Sequence, residues 1–286
     1  MRTLWDVAPV PVTLPLRRSV TQAPQSLVKR DYISYSAIST YQQCPLRYYF
    51  RYVAQLPEAL VSASLVFGSA IHAAVERHYQ VLLETDKPIS VADLVSAYQE
   101  EWEKRSAVPV RFGKGESRQS LDQLAERMLE AFLPSEMARP QGRVLGVEEE
   151  FRASLVPGMP EFLGRIDLLV ESEDELIVTD FKTAKTRWSQ EQAQLAAGQL
   201  LLYFELVRAH VPRKRIRVQF AVLAKTKTPA LELFPIGASV KRGERMKLVA
   251  QRVWKAIAAG HFYPVPSAMN CTGCPFRVPC KAWPNE

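Results

Sequence analysis

Two aspartates and a lysine occupy positions in neighbouring predicted strands where they could surround one metal ion. Asp167 lies among apolar residues of a predicted strand at 162–171, and Asp180 lies near the end of the next, at 175–182. A carboxylate inside an apolar strand is costly unless it is paired or binds a metal. Lys182 follows Asp180 by two residues, so a strand directs both side chains to one face. The pattern predicts either a site where a divalent ion polarises a phosphodiester or a buried Asp–Lys ion pair.

Three more residues could complete such a site. His72 lies on a predicted helix at 65–83 among small residues, and imidazole binds manganese alongside carboxylates. The alternative for His72 is a hydrogen-bonded core histidine. Gln199 and Tyr203 are four residues apart on a predicted helix at 189–210, so they share one face. They could orient water or a phosphate and stack on a base, or they could pack in the core.

Four cysteines form a second candidate site. Cys271, Cys274 and Cys280 follow a C-x2-C-x5-C spacing near the end of the chain, and Cys44 lies far upstream. In a reducing compartment four cysteines are more often metal ligands than disulfides. Four thiolates can hold a [4Fe–4S] cluster or a zinc ion, and the spacing does not separate the two. Either ligand would join the two ends of the chain as a structural staple.

The elements that must position these residues follow a mixed α/β pattern. Residues 1–30 hold four prolines and predict a flexible arm. The helical part, 31–142, has predicted helices at 34–52, 65–83, 91–104 and 117–133, the first broken or kinked by Pro45. The sheet core, 143–260, has predicted strands at 144–156, 162–171, 175–182, 215–225 and 230–236, and predicted helices at 189–210 and 240–259. The first two strands suggest a hairpin, and 261–286 form the cysteine-bearing tail.

Composition and charge restrict the kind of partner. Hydrophobic residues make up 47% of the chain, and the net charge is +7. No apolar run approaches the roughly 20 residues that span a bilayer, and prolines interrupt the N-terminal apolar stretch, so we expect a cytoplasmic protein without a membrane partner. Basic residues concentrate at 213–217, 225–227 and 241–247, which suits either a nucleic acid or a solvated surface. The chain has no P-loop sequence and is therefore not itself a helicase.

These motifs together resemble the RecB-like branch of the PD-(D/E)XK nucleases and the Cas4 exonucleases. The matching segments, in chain order, are Tyr32-Ile33-Ser34-Tyr35-Ser36, Cys44-Pro45-Leu46-Arg47-Tyr48-Tyr49-Phe50, Phe67-Gly68…His72, Gly164-Arg165-Ile166-Asp167, Asp180-Phe181-Lys182-Thr183 and Gln199…Tyr203. The resemblance covers the chain from about residue 32 to its end. Its one departure is Ile166, where the family's name has a proline before the acid.

The resemblance implies a fold and an activity. The fold would be restriction-endonuclease-like, with a mixed central sheet flanked by helices, an N-terminal helical segment and a cysteine-bound tail. The activity would be that of a Mg²⁺- or Mn²⁺-dependent DNA nuclease, an exonuclease with a preference for single strands. Such an enzyme would serve DNA repair, recombination or CRISPR adaptation, beside a helicase or another repair or adaptation protein. The N-terminal helical segment and the tail would then roof the site.

The resemblance also assigns roles to residues. It implies that His72, Asp167, Asp180 and the Phe181 carbonyl bind the metal, that Lys182 is catalytic, and that Gln199 and Tyr203 form the family's Q-x-x-x-Y motif. It favours an iron–sulfur cluster on Cys44, Cys271, Cys274 and Cys280.

One acid and one rival hypothesis remain. Glu148 matches an acid that precedes the strand containing Asp167 in the family, but regular strand alternation would instead place Glu149 on one face with Val147 and Phe151. The rival hypothesis is a non-catalytic DNA-binding or scaffold module with a zinc-stapled nuclease-like fold. The complete set of metal-binding and catalytic residue types argues against that rival.

Overall fold

A mixed sheet forms the centre of the protein in the computed structural model, which describes residues 30–85 and 89–283. The strands are β1 (Tyr32–Ser34), β2 (Val61–Ser62), β3 (Val110–Arg111), β4 (Arg143–Ala153), β5 (Glu161–Glu171), β6 (Glu175–Ala184), β7 (Arg215–Ala224) and β8 (Ala230–Ile236). The predicted flexible arm at 1–30 lies outside the described residues except for Arg30. Strands β2 and β3 form a separate small parallel pair.

Helices cover both faces of the sheet. They are α1 (Tyr35–Gln43), α2 (Pro45–Tyr48), α3 (Ala63–Glu84), α4 (Val91–Arg105), α5 (Arg118–Phe132), α6 (Gln190–Leu195), α7 (Gly198–His210), α8 (Val240–Ala258), α9 (Ala268–Cys271) and α10 (Arg277–Lys281), with a π-helical segment at Tyr49–Val53. Most of the long helices begin at a serine whose side chain accepts a backbone N–H of the first turn, as Ser62 does for α3 and Ser90 for α4.

The order of strands in the six-stranded sheet is β1-β5-β6-β7-β8, with β4 paired to β5. Strands β4 and β5 form the predicted antiparallel hairpin, β5–β6 and β7–β8 are antiparallel, and β1–β5 and β6–β7 are parallel. Because β4 runs along one edge of β5, β1 and β6 share the other edge. On that edge, β1 pairs with Glu161–Leu163 of β5, and β6 pairs with Leu168–Glu171 of β5. Residues 164–167 of β5 therefore have no strand partner on that edge.

Two hydrophobic cores lie on opposite faces of this sheet. The α7-side core contains buried residues of α1, α7 and α8, such as Ile38, Leu200 and Ala250. The α3-side core contains buried residues of α3, α4 and α5, such as Ile71 and Leu94. These two names are used below for the two faces.

Two predicted helices are divided into shorter ones in the structure. The predicted helix at 34–52 is three segments, and the break falls at Cys44–Pro45 as the proline predicts, because Pro45 starts a new short helix at a position that needs no N–H donor. The predicted helix at 189–210 is two helices, α6 and α7, which separate at Ala196 and Ala197. Gly198, a weak helix former, begins α7, and a β-carbon on Gly198 would lie 3.0 Å from the ring of Tyr35.

Candidate active site

Three potential metal ligands converge between α3, β4 and β5. Among the described residues, one group of His, Cys, Asp or Glu side chains has at least three donor atoms all within 4.8 Å of one another, and it consists of His72, Glu148 and Asp167. The Nδ1 atom of His72 lies 3.7 Å from Oδ2 of Asp167. We refer to these three residues as the metal group. One imidazole and two carboxylates suit Mn²⁺ well, and carboxylates alone suit Mg²⁺.

The end of strand pairing explains where Asp167 and Asp180 lie. The last pair between β5 and β6 is Leu168 with Thr179, so Asp167 and Asp180 are the first residues beyond it. The two strands separate there, and the backbone N–H of Phe181 donates to Oδ2 of Asp167 at 2.7 Å instead of joining the ladder between β5 and β6. The gap places polar side chains at the rim of an otherwise apolar sheet.

Glu148 reaches the metal group through an unusual backbone conformation. Its φ is +54°, in the left-handed region that residues with a β-carbon seldom adopt. The pairs on either side, Val147 with Leu168 and Glu149 with Ile166, set Glu148 opposite Asp167. Such a conformation costs free energy, and strained residues of this kind cluster at functional sites.

Side-chain alternation changes phase at this point in both strands. Residues two or four apart in a regular strand share a face. In β5, however, Ile166 packs in the α7-side core and Leu168 in the α3-side core. In β4, Val147 packs against the α3-side core and Phe151 against the α7-side core. The expectation that Glu149 shares a face with Val147 and Phe151 is therefore wrong, because those two residues face opposite ways.

His72 is held against the strands by a small-residue stretch of α3. A β-carbon on Gly68 would lie 3.0 Å from Oγ1 of Thr183, so the glycine lets the helix approach β6 closely. Burial lowers the pKa of His72 to about 4, the positive charge of Lys182 lowers it too, and a hydrogen bond to the Phe181 backbone acts in the opposite direction. At neutral pH the ring is uncharged, so it can offer a lone pair to a cation.

The carboxyl groups carry charge that the protein only partly compensates. Burial raises the pKa of Asp167 well above its usual value, and the neighbouring Asp180 raises it further, while Lys182 and the Phe181 N–H act against this. Burial also raises the pKa of Asp180, while the positive charge of Lys182 lowers it. A divalent cation would stabilise these carboxylates, so the residues present fit a metal ion.

Lys182 is fixed on the α7 side by a chain of polar contacts. Its Nζ lies 2.5 Å from Oδ2 of Asp180 and forms an ion pair with it, although the angles do not meet the criteria for a hydrogen bond. The same Nζ donates a hydrogen bond to Oε1 of Gln199 at 2.9 Å. The Nε2 of Gln199 in turn donates to the hydroxyl of Tyr203 at 2.8 Å. The predicted shared face of Asp180 and Lys182 and that of Gln199 and Tyr203 are both confirmed. Asp180 is 1% exposed and is outside the metal group.

A polar groove of about 540 Å³ lies over the metal group. It is lined by His72, Glu148, Asp167 and Thr183, and also by Glu76, Glu101, Arg105 and Arg165. The last four have no role in the sequence-based prediction, although Glu76 follows His72 by one helical turn and that spacing could have identified it. Tyr35 was also missed as a site residue. Its phenol is close enough to Lys182 and Asp180 for their charges to shift its pKa, which burial raises.

The four cysteines are near one another but do not form a compact group. All four are free and half-buried. Cys44, Cys274 and Cys280 pack around Leu46, Phe50 and Phe276, and the charges of the other three cysteines add to the effect of burial, which raises the pKa of Cys280. No three of these sulfur atoms lie within 4.8 Å of one another in the described part of the chain.

Comparisons with known proteins define the class. The sequence profile described as the PD-(D/E)XK nuclease superfamily matches residues 32–281. A crystal structure described as a "Putative exonuclease" from Eubacterium rectale aligns with a TM-score of 0.58 and 14% identity over 90% of this chain and 89% of that one. The crystal structure of SSO0001 aligns at 13% identity over 86% of this chain and 95% of that one, with a TM-score of 0.34. No curated protein sequence matches.

The fold and the family follow from these matches. A mixed central sheet flanked by helices is a restriction-endonuclease-like fold. The chain belongs to the PD-(D/E)XK nuclease superfamily. Within the described residues, no helix has the length and apolarity needed to cross a membrane.

Proposed function

We propose that the protein is a Mg²⁺- or Mn²⁺-dependent deoxyribonuclease that acts on single-stranded DNA from a strand end. The observation that carries this proposal is the position of Lys182, held by Asp180 and Gln199 where β5 and β6 separate, near the metal group. Superfamily membership supports nuclease activity. The metal requirement, the strand preference and the roles of individual residues are parts of the proposal.

The residues of the chain would divide the chemistry between them. His72, Glu148 and Asp167 would hold the metal, with Asp180 and the Phe181 carbonyl as further candidate ligands. When bound, the ion polarises a phosphodiester and lowers the pKa of a bound water. Lys182 is paired with Asp180, and its side chain is 31% exposed. Its remaining N–H groups can therefore donate to a phosphate oxygen or to the attacking water as negative charge develops.

The shape of the groove supports the preference for a single strand. A second depression, lined by Arg51, Val61 and Val108, shares Leu65 and Ser69 with the groove over the metal group, so the two continue along α3. A path of this kind along one helix would suit one extended strand. The C-terminal tail contacts neighbouring segments through two hydrogen bonds: the Asn270 carbonyl accepts a hydrogen bond from Arg47, and the Thr272 carbonyl accepts one from Arg111.

The test is digestion of 5′- and 3′-labelled single strands, blunt duplexes and closed single-stranded circles with Mg²⁺, Mn²⁺ or EDTA. The proposal expects cutting of linear single strands with either ion and none in EDTA. Cutting of closed circles would show that a strand end is unnecessary and make the enzyme an endonuclease. A purified protein that cuts none of these substrates with either ion would support the non-catalytic DNA-binding module. By the resemblance, the activity would serve repair, recombination or CRISPR adaptation beside a separate helicase.

We also propose that Cys44, Cys271, Cys274 and Cys280 hold a [4Fe–4S] cluster. Zn–S bonds of about 2.3 Å in a tetrahedron bring sulfur atoms within about 3.8 Å of one another. A zinc tetrahedron would therefore bring all its sulfurs within 4.8 Å of one another, and no three of the described cysteine sulfurs are that close. A cubane cluster suits wider spacing, because each thiolate binds a different iron.

Metal analysis of anaerobically purified protein tests this cluster. The expected result is a brown protein with four irons and four sulfides per chain, and loss of both with a lower melting temperature in Cys44→Ser, because ligand binding is coupled to folding. A colourless protein with one zinc would replace the cluster by a zinc site. Unchanged iron content in Cys44→Ser would exclude Cys44 as a ligand.

A further inference from the structure

Four basic residues gather where β6 and β7 end, on the α3 side of the sheet. Arg127 of α5, Lys185 just after β6, and Lys225 and Lys227 just after β7 line one depression of about 420 Å³. We call these four residues the basic cluster. The sheet brings the two lysine-bearing loops together, because the backbone N–H of Lys225 donates to the carbonyl of Ala184 at 2.7 Å.

The basic cluster lies next to the groove over the metal group. Lys185 follows Lys182 by three residues, a path of about 10 Å at about 3.3 Å per residue. Thr183, between them, lines the groove itself. Lys225 sits 4.9 Å from the ring centre of Phe67, the residue before the groove-lining Gly68. A strand lying in the groove would therefore reach the basic cluster within a short distance of the metal group.

The charges of the basic cluster are available to a partner. Within residues 30–85 and 89–283, none of the four side chains forms an ion pair or a hydrogen bond. Glu116 lines the same depression, but its carboxylate accepts the backbone N–H of Gly113 at 2.8 Å. Burial lowers the pKa of Lys225 and the charge of Lys185 lowers it further, while Glu116 acts against them. A phosphate would relieve this repulsion between cations.

The other two basic stretches of the sequence, at 213–217 and 241–247, differ from the basic cluster in their position and in their ion pairs. Arg215 and Arg217 both pair with Glu175, at distances of 3.4 and 3.0 Å. Arg215 begins β7, seven residues before Val222, the residue paired with Lys182. At about 3.3 Å per residue, that is about 23 Å from the catalytic lysine. On α8, Lys247 pairs with Glu205 at 3.1 Å and with Glu244 at 2.7 Å.

We propose that the basic cluster binds the backbone phosphates of single-stranded DNA beside the scissile bond and so guides the strand into the groove. This inference rests on the proposed function, because it takes DNA as the substrate. Cations that meet phosphates release condensed counterions, which gives affinity that is independent of base sequence and falls with salt. The depression that holds the basic cluster is also lined by the partly buried Leu124, which offers apolar contact to the sugar–base part of the strand.

The experiment measures DNA binding without cleavage. Fluorescence anisotropy of a labelled 30-nucleotide single strand, in EDTA and over a range of salt, gives the slope of log affinity against log salt. The triple variant Arg127→Ser, Lys185→Ser, Lys227→Ser changes three exposed residues of the basic cluster. The matched control, Arg213→Ser, Lys241→Ser, Arg245→Ser, removes the same charge from three exposed residues elsewhere.

The expected result is a weaker and less salt-dependent complex for the cluster variant only. Each lost phosphate contact reduces the magnitude of the slope by about 0.7 for single strands, so three contacts reduce it by about 2. Equal losses in both variants, a larger loss in the control, or no binding by the wild type at low salt would overturn the proposal. Binding does not need catalysis here, so a wild type that binds through the basic cluster but cuts nothing would overturn only the proposed nuclease function.

Discussion

Glu148 lies opposite Asp167 across β4 and β5, and both strands change the phase of their side chains at these two residues. The backbone of Glu148 is left-handed, with φ of +54°. A glutamate gains nothing locally from this conformation, which costs about 1–2 kcal/mol for a residue with a β-carbon. Its carboxylate, however, comes within reach of His72 and Asp167. We therefore interpret Glu148 as a metal ligand whose backbone conformation lowers the stability of the fold.

The first prediction separates these two effects. Glu148→Gly should raise the free energy of unfolding by up to about 1 kcal/mol, because glycine adopts positive φ without strain, and should lower cleavage at least tenfold. Denaturant unfolding and cleavage assays measure the two effects. The control is Glu150→Gly, at an exposed position of the same strand where φ is not positive. It should lose about 0.5–1 kcal/mol and keep its activity. A Glu148→Gly protein less stable than this control would contradict the interpretation.

The second prediction concerns metal binding without catalysis. Asp167→Asn keeps an oxygen to accept from the Phe181 N–H but removes the charge that Asp180 opposes. In EDTA its melting temperature should therefore equal or exceed that of the wild type. Mn²⁺ should stabilise the wild type, by about 2.7 kcal/mol at a hundred times its dissociation constant, and leave Asp167→Asn unchanged. The exposed Asp174→Asn is the matched control and should respond as the wild type does. An equal Mn²⁺ response in all three would remove Asp167 from the ligands.

Much of this site could be predicted from residue types and spacing. Asp167 was expected in a strand, Asp180 and Lys182 on one face, and His72 on a facing helix, because two-residue and helical periodicities are properties of the local chain. The position of Glu148 could not be settled in this way. Its conformation is imposed by the pairing of β4 with β5, and a glutamate carries none of the signal that a glycine with positive φ would have given.

The break between α6 and α7 also depends on tertiary contacts. Good helix formers such as Gln, Glu, Ala and Leu make up most of 189–210, so local propensity favours one long helix. In the fold, Tyr35 occupies the space beside Gly198, and the chain bends so that Gln199 can reach Lys182. The short strand β1 has only three residues, and pairing with β5 alone makes it a strand. Contacts between distant segments leave no periodic pattern in either segment.

The third prediction ranks Lys182 and the residues that contact it by their expected effect on cleavage. Lys182→Met should reduce the rate constant for cleavage at least a hundredfold, the usual cost of losing one preorganised donor. Gln199→Leu removes the acceptor that orients Lys182 and should cost less, and Tyr203→Phe, which removes only a partner of Gln199, should cost least. Single-turnover cleavage at saturating DNA measures the three rates. A loss in Tyr203→Phe as large as that in Lys182→Met would mean that the phenol acts directly on the substrate.

The fourth prediction is a dependence of stability on pH that comes from His78. Its Nε2 lies 2.8 Å from the Ala138 carbonyl, and its Nδ1 is buried without a hydrogen-bond partner among the described residues. Burial lowers the pKa of His78 below its usual 6.5, although the Ala138 contact acts in the opposite direction. The unfolded chain therefore binds a proton at a higher pH than the folded one. Stability is complete above about pH 6.5 and is lost as pH falls from there toward the folded pKa.

Replacing this histidine tests the sign and the source of that dependence. His78→Gln keeps an N–H for the Ala138 carbonyl but cannot titrate, so its free energy of unfolding should fall less steeply between about pH 6.5 and 5. The difference in slope should not exceed about 1.4 kcal/mol per pH unit, the value for one proton. His72, whose pKa is also lowered, contributes equally to both proteins and cancels from the comparison. The matched control is His261→Gln, which replaces an exposed histidine. Equal slopes in the wild type and His78→Gln would show that His78 does not titrate between the two states.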